Sequence, residues 1–199
     1  MKKRLIILGF FGSLFILCFS LLLLNTQATF KDEDKQAKNY QVGNLELELV
    51  NDGSDVIPNP LVPNAEITKR VAVKNVANNA SYVRVMLFPT IIDKNKITLE
   101  AQHPKQFKYT DLDTTNWMYG DDGYYYYLKK LEPGATTQNL LSKIVIDANI
   151  DAKYKDSQFD FEVKVEGINT TAGGFSKAWW NDEIPPNSAR DKINKKLTE

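Results

Sequence analysis

Residues 159–168 read Phe159-Asp160-Phe161-Glu162-Val163-Lys164-Val165-Glu166-Gly167-Ile168. Apolar residues fall on every second position from Phe159 to Val165, so Phe159, Phe161, Val163 and Val165 face one way, the period of a strand with one buried face. The same pattern recurs upstream. Asn44-Leu45-Glu46-Leu47-Glu48-Leu49 alternates as strictly, and Glu66 to Lys74 alternates through Ile67, Val71 and Val73. Turn residues Asn75 to Ala80 then lead into Tyr82 to Phe88, which predicts a hairpin whose second strand ends at Pro89, a residue with no amide hydrogen to donate.

Trp117 to Tyr119 and Tyr124 to Leu128 flank Gly120-Asp121-Asp122-Gly123 and predict a second hairpin. Asp93-Lys94-Asn95-Lys96 marks a turn before a short Ile97 to Leu99 segment, and Leu140 to Ile146 is a further strand. Residues 100–116 are mixed and polar and read as a long loop, and no segment between 29 and 180 carries a helical period. Seven or more short strands separated by Gly, Pro, Asn and Asp clusters predict an all-β protein, an antiparallel β-sandwich.

The amino end is of another kind. Lys2-Lys3-Arg4 precedes the apolar run Leu5 to Leu24, which breaks at Asn25-Thr26-Gln27-Ala28. The run spans about 30 Å as a helix, enough to cross a hydrocarbon core. Thr26 and Ala28 stand at the −3 and −1 positions of an export signal cut between Ala28 and Thr29; an uncleaved anchor over the same residues is the alternative. Under both readings residues 29–199 face outward, extracellular or at the cell surface. Residues 1–28 are thus a signal or transmembrane anchor, 29–43 a polar lead, 44–180 the sandwich and 181–199 a polar tail. Ser188-Ala189-Arg190-Asp191 resembles a capping box, so the tail is either a short helix over 189–197 or a disordered charged end.

Removing the cations at Lys2, Lys3 and Arg4 leaves 22 Lys and Arg against 25 Asp and Glu, a formal −3, so no nucleic-acid partner is expected. The only cysteine, Cys18, lies inside the apolar run, so the exported part has no disulfide. The only histidine is His103, and an HExxH zinc site is excluded by counting. No Gly-x-Ser-x-Gly elbow accompanies it, and Asp121-Asp122 reads as a turn. We expect neither a cofactor nor a catalytic site. Tyr124 to Tyr127 puts rings on both faces of a strand, one pair in the core and the other in cross-strand packing or at an interface; Trp179-Trp180 closes the core or forms a patch. Tyr125, Tyr127 and Trp180 are the candidate interface aromatics.

Together these segments resemble the TasA/camelysin family of Gram-positive exported proteins. Ala28-Thr29-Phe30-Lys31-Asp32 with Tyr40-Gln41-Val42-Gly43-Asn44-Leu45-Glu46-Leu47 is similar to the family's Ala-x-Phe-x-Asp junction and Gly-x-Leu-Asp/Glu-Leu strand. Val73-Lys74-Asn75 with Tyr82-Val83-Arg84-Val85, Asp122-Gly123 through Leu131-Glu132-Pro133-Gly134, and Val165-Glu166-Gly167-Ile168 with Ala178-Trp179 resemble later family segments in order. The resemblance implies a jelly-roll-like sandwich and a SipW-type signal peptidase as processing partner. It further implies a biofilm-matrix-type subunit that assembles with itself or related subunits by strand addition, with Phe30, Val42, Leu45 and Leu47 in the assembly segment. Camelysin has been described as a metalloprotease, but this chain lacks the ligand set. The competing expectation is a membrane-tethered surface binding module.

Overall fold

The computed structural model describes residues 45–50 and 60–199. Chain contacts divide the protein into two units, Met1–Gln36 and Ala37–Glu199, and every described residue belongs to the second. The proposed cleavage residues Ala28 and Thr29, the apolar run, Phe30 and Val42 lie outside the described residues.

Among the described residues ten strands form three antiparallel sheets, with few helices, an all-β arrangement. The strands are β1 (Leu47–Val50), β2 (Glu66–Thr68), β3 (Ala72–Asn75), β4 (Ser81–Ile92), β5 (Thr98–Leu99), β6 (Phe107–Thr110), β7 (Trp117–Tyr119), β8 (Tyr125–Tyr127), β9 (Lys143–Ile146) and β10 (Gln158–Asn169). The largest sheet runs β10-β4-β8-β7, with β5 also pairing to β4; the others run β2-β9-β6 and β1-β3. Two helices follow, α1 (Gly174–Trp180) and α2 (Ala189–Thr198).

β4 and β10 pair along all twelve residues, from Ser81 opposite Asn169 to Ile92 opposite Gln158. This register sets Val85 against Val165 and Ile91 against Phe159, so the alternating apolar positions of both strands face one core. Val83, Val85, Ile91, Phe159 and Phe161 meet Ile67, Phe107, Ile144 and Ile146 from the three-stranded sheet. Each such side chain contributes about 1.5–3 kcal/mol by leaving water.

The opposite face of the same sheet is also covered. Tyr82, Tyr124 and Tyr126 pack with Phe175 and Trp180 of α1 and Ile193 and Leu197 of α2 in a second cluster. Ser188 caps α2, its hydroxyl accepting from Asp191 N–H at 3.1 Å, as the capping-box pattern implies.

Four expectations are corrected. First, β3 and β4 do not form a hairpin; β3 pairs with β1, and β4 pairs with β10, β8 and β5. Asn75 is fully buried and directs the chain between sheets. Its Nδ2 donates to Asn79 O at 2.8 Å and Leu131 O at 2.9 Å, while its Oδ1 accepts from Ala77 N–H at 3.0 Å. Second, β4 continues through Pro89 to Ile92. β8 reaches β4 only at Arg84 and Val85 and β5 only at Ile91 and Ile92, so on that side Pro89 has no described strand awaiting an amide.

Third, residues 100–116 are not one loop, because β6 pairs with β9 from Phe107 opposite Ile146 to Thr110 opposite Lys143. Fourth, the stretch 29–180 does contain a helix, α1. It has seven residues, fewer than a helical period needs to show, and ends at Asn181 in the left-handed region at φ 52°.

Candidate functional site

Two arrangements of side chains stand out, one on each face of β8. On the inner side an open cleft of about 570 Å³ lies where β4 has no described neighbour between β8 and β5. Its apolar base includes Leu87, Pro89 and Leu140, and its aromatic walls are built by Phe107 and Tyr109 of β6, Trp117 and Tyr119 of β7, and Tyr125 of β8. Sheet alternation aims them inward: Trp117 pairs across from Tyr127, and Tyr119 from Tyr125.

The rings are held by one another. Tyr119 and Tyr125 have centroids 4.8 Å apart, and His103 stacks on Tyr109 at 4.8 Å with planes 21° apart. The His103 Nδ1 accepts from the Tyr109 backbone N–H at 3.3 Å, which fixes the ring against the cleft wall and leaves Nε2 to carry the proton. Burial, then the nearby Tyr119 phenol, push the Tyr125 hydroxyl up to about 12. Burial and the phenols of Tyr125 and Tyr119 push Tyr109 up as well, so both stay neutral at physiological pH.

Asp113 also lines the cleft, but its carboxylate is occupied locally. Its oxygens accept from Thr115 N–H at 2.9 Å and from Asn116 Nδ2 at 2.7 Å. His103 therefore has no free carboxylate partner among the cleft's lining residues. The arrangement offers ring faces and hydroxyls for binding, without a nucleophile paired to a base.

On the outer side Arg84 joins three elements. Its Nε and Nη2 donate to Glu166 Oε2 at 2.8 and 2.6 Å, and its Nη1 donates to Asp122 Oδ2 at 3.1 Å and Tyr126 OH at 3.0 Å. The guanidinium also lies 3.8 Å from the centroid of Tyr124 and 4.9 Å from that of Trp179. Tyr126 OH in turn donates to Asp122 Oδ2 at 2.6 Å and accepts from Trp180 Nε1 at 2.8 Å. A β-carbon at Gly120 would stand 2.6 Å from Asp122 Oδ1 and 2.7 Å from Tyr126 Cε2, so glycine is what lets the β7–β8 turn close over this cluster. The cluster is a structural clasp.

Of the residues singled out by sequence, Tyr125 is half-buried at the cleft. Tyr127 is buried in the main core with its hydroxyl 2.6 Å from Gln138 Oε1, and Trp180 is buried in the second cluster. Both faces of β8 are thus packed, because α1 and α2 cover the side that would otherwise be open. Leu45 is buried, and Leu47 pairs opposite Asn75 and contacts Gly167, where any β-carbon would collide with its Cδ1. Leu47 therefore serves the protein's own sheets. His103, Tyr109 and Tyr119 were not connected with Tyr125 by sequence; an aromatic at every second position of Phe107-Lys108-Tyr109 was the available signal.

Among the described residues no three His, Cys, Asp or Glu side chains are grouped to hold a metal ion, and no helix is long and apolar enough to cross a membrane. Comparison of the chain with protein-family models, curated proteins and solved structures gives no match.

Proposed function

We propose that the protein is an exported, non-enzymatic structural subunit of an extracellular or cell-surface matrix, with a jelly-roll-like sandwich of the TasA/camelysin kind. Processing by a SipW-type signal peptidase between Ala28 and Thr29 frees the segment that begins at Thr29, and that segment, with Phe30 and Val42 as its apolar anchors, adds to a sheet edge of another subunit. The observation that carries this reading is β10. It is twelve residues long and pairs on one side only, with β4, among the described strands. A long strand whose second edge meets no described strand is a template for a further one, since outward N–H and C=O groups need partners.

The expected result is that the chain starting at Thr29 forms filaments visible by electron microscopy and the chain starting at Asn44 does not. Equal assembly by both removes the strand-addition mechanism. The aromatic cleft favours a second reading, a surface binding module tethered through residues 5–24. Mass measurement of the protein from cells separates the two: an amino terminus at Thr29 supports the released subunit, and an intact one supports the tether.

A further inference from the structure

We infer that the cleft between β4, β6 and the β7–β8 hairpin is a binding site for a neutral saccharide. The inference is independent of how the subunit assembles, because it rests on the cleft alone. A cleft of about 570 Å³ lies within the size range of small-molecule sites, about 300–1,000 Å³.

The chemistry of the wall selects the ligand class. Sugar rings present one apolar C–H face and a rim of hydroxyls, so their receptors combine an aromatic platform with neutral donors and acceptors. Tyr119 is 57% exposed on the edge strand β7, so its ring is accessible to a ligand entering the cleft. Tyr119 and Tyr125 meet at 53° between planes, giving a two-ring corner instead of a single flat surface. The hydroxyls of Tyr109, Tyr119 and Tyr125 hydrogen-bond to no described residue, so three phenol groups that can both donate and accept line one opening. Gln102 and Thr114 add further neutral polar groups at the rim.

Charge excludes the main competitors. No lysine or arginine is among the lining residues, so phosphate and carboxylate ligands have no counter-charge there. The single carboxylate, Asp113, is held by Thr115 and Asn116 and adds no free site for a cation. A proline-rich peptide also docks on aromatic grooves, but its prolyl carbonyls only accept, whereas saccharide hydroxyls match both the donor and the acceptor side of each phenol.

The test is native gel electrophoresis of the full chain, in a detergent without a sugar headgroup, through gels containing dextran, β-1,3-glucan or β-1,4-mannan. Poly-L-proline and polygalacturonate serve as comparisons. At least one neutral polysaccharide is expected to retard the chain, with apparent Kd raised about tenfold in Y119A and about threefold in Y125F, which loses only a hydroxyl. F88A, which truncates an exposed ring outside the cleft lining, is expected to bind as the unaltered chain does. Y119A alters a largely exposed residue, so melting temperature checks that the variant is folded. Absence of retardation by every neutral polysaccharide, retardation by poly-L-proline or polygalacturonate alone, equal binding by Y119A, or equal loss in F88A would each overturn the assignment.

Discussion

Replacing Arg84 with methionine is expected to lower stability by about 3 kcal/mol, a fall in Tm on the order of 10 °C. The side chain of Arg84 is 10% exposed and those of its carboxylate partners Glu166 and Asp122 are 22% and 18% exposed. Methionine keeps most of the volume and removes the charge, so two shielded carboxylates lose their common cation. The loss stays at the lower end for a broken buried pair. Lys164 Nζ remains 2.6 Å from Glu166 Oε1, and Tyr126 still donates to Asp122. R84K is expected to fall between the two, since an ammonium cannot serve both carboxylates in the planar geometry of a guanidinium.

The same variant changes the acid limb. Burial raises the Glu166 carboxyl, but hydrogen bonds from Lys164, Tyr124 and Arg84 outweigh it and hold the group below its ordinary 4.5. A carboxylate depressed in the folded state contributes stability that is complete above its unfolded value and is lost as pH falls through its folded one. Thermal melts of the unaltered protein should therefore weaken below 4.5 through this group, and R84M should show a shallower acid limb. Equal melting of R84M and the unaltered protein at neutral pH would show that the clasp contributes nothing.

Replacing Ile193 with alanine is expected to cost about 2–4 kcal/mol, although only six residues follow it in the sequence. Ile193 is fully buried between α2 and the outer face of the five-stranded sheet, and Leu197 beside it is 5% exposed. Truncation leaves a cavity among Tyr82, Phe175 and Trp180, whose rings are already fixed: Tyr82 and Phe175 meet edge to face at 5.1 Å. The Tyr82 hydroxyl also donates to Leu197 O at 2.8 Å, so Y82F should cost about 1 kcal/mol without a cavity. Urea denaturation measures both. An unchanged midpoint for I193A would mean that the tail is not part of the cooperative unit.

The periodicity of residues 159–165 identified the inward face of β10 because that strand has one apolar and one polar row. Ser188 and Asp191 located α2 for a similarly local reason, since a cap is satisfied within one turn. What sequence could not convey was long-range. Asn75 to Ala80 is legible as a bend, but whether the next strand turns back or crosses to another sheet depends on Leu131, which receives the Asn75 side chain from 56 positions away. Pro89 does not end β4 because its cost depends on a neighbouring strand, and no described strand lies opposite it on that side. The partner of Arg84 was not legible from the run Tyr82 to Phe88; only the register of β4 with β10 identifies Glu166, directly opposite. The cleft was the least legible, since it gathers residues from β4, β6, β7 and β8 that share no local motif.

The full-length pairing of β4 with β10 also sets a clock. A chain made from its amino end completes Ile92 well before Gln158, the first residue of its partner. At about 5–20 residues per second, synthesis of the intervening stretch takes about 3–13 s. Throughout that interval β4 lacks the one described partner that pairs along its whole length, with only β5 and β8 to meet it over two residues each, and the main core lacks Phe159 and Phe161. The delay keeps the newborn chain pliable until its last fifth appears, and only then does the sheet have the partner that commits it to a shape.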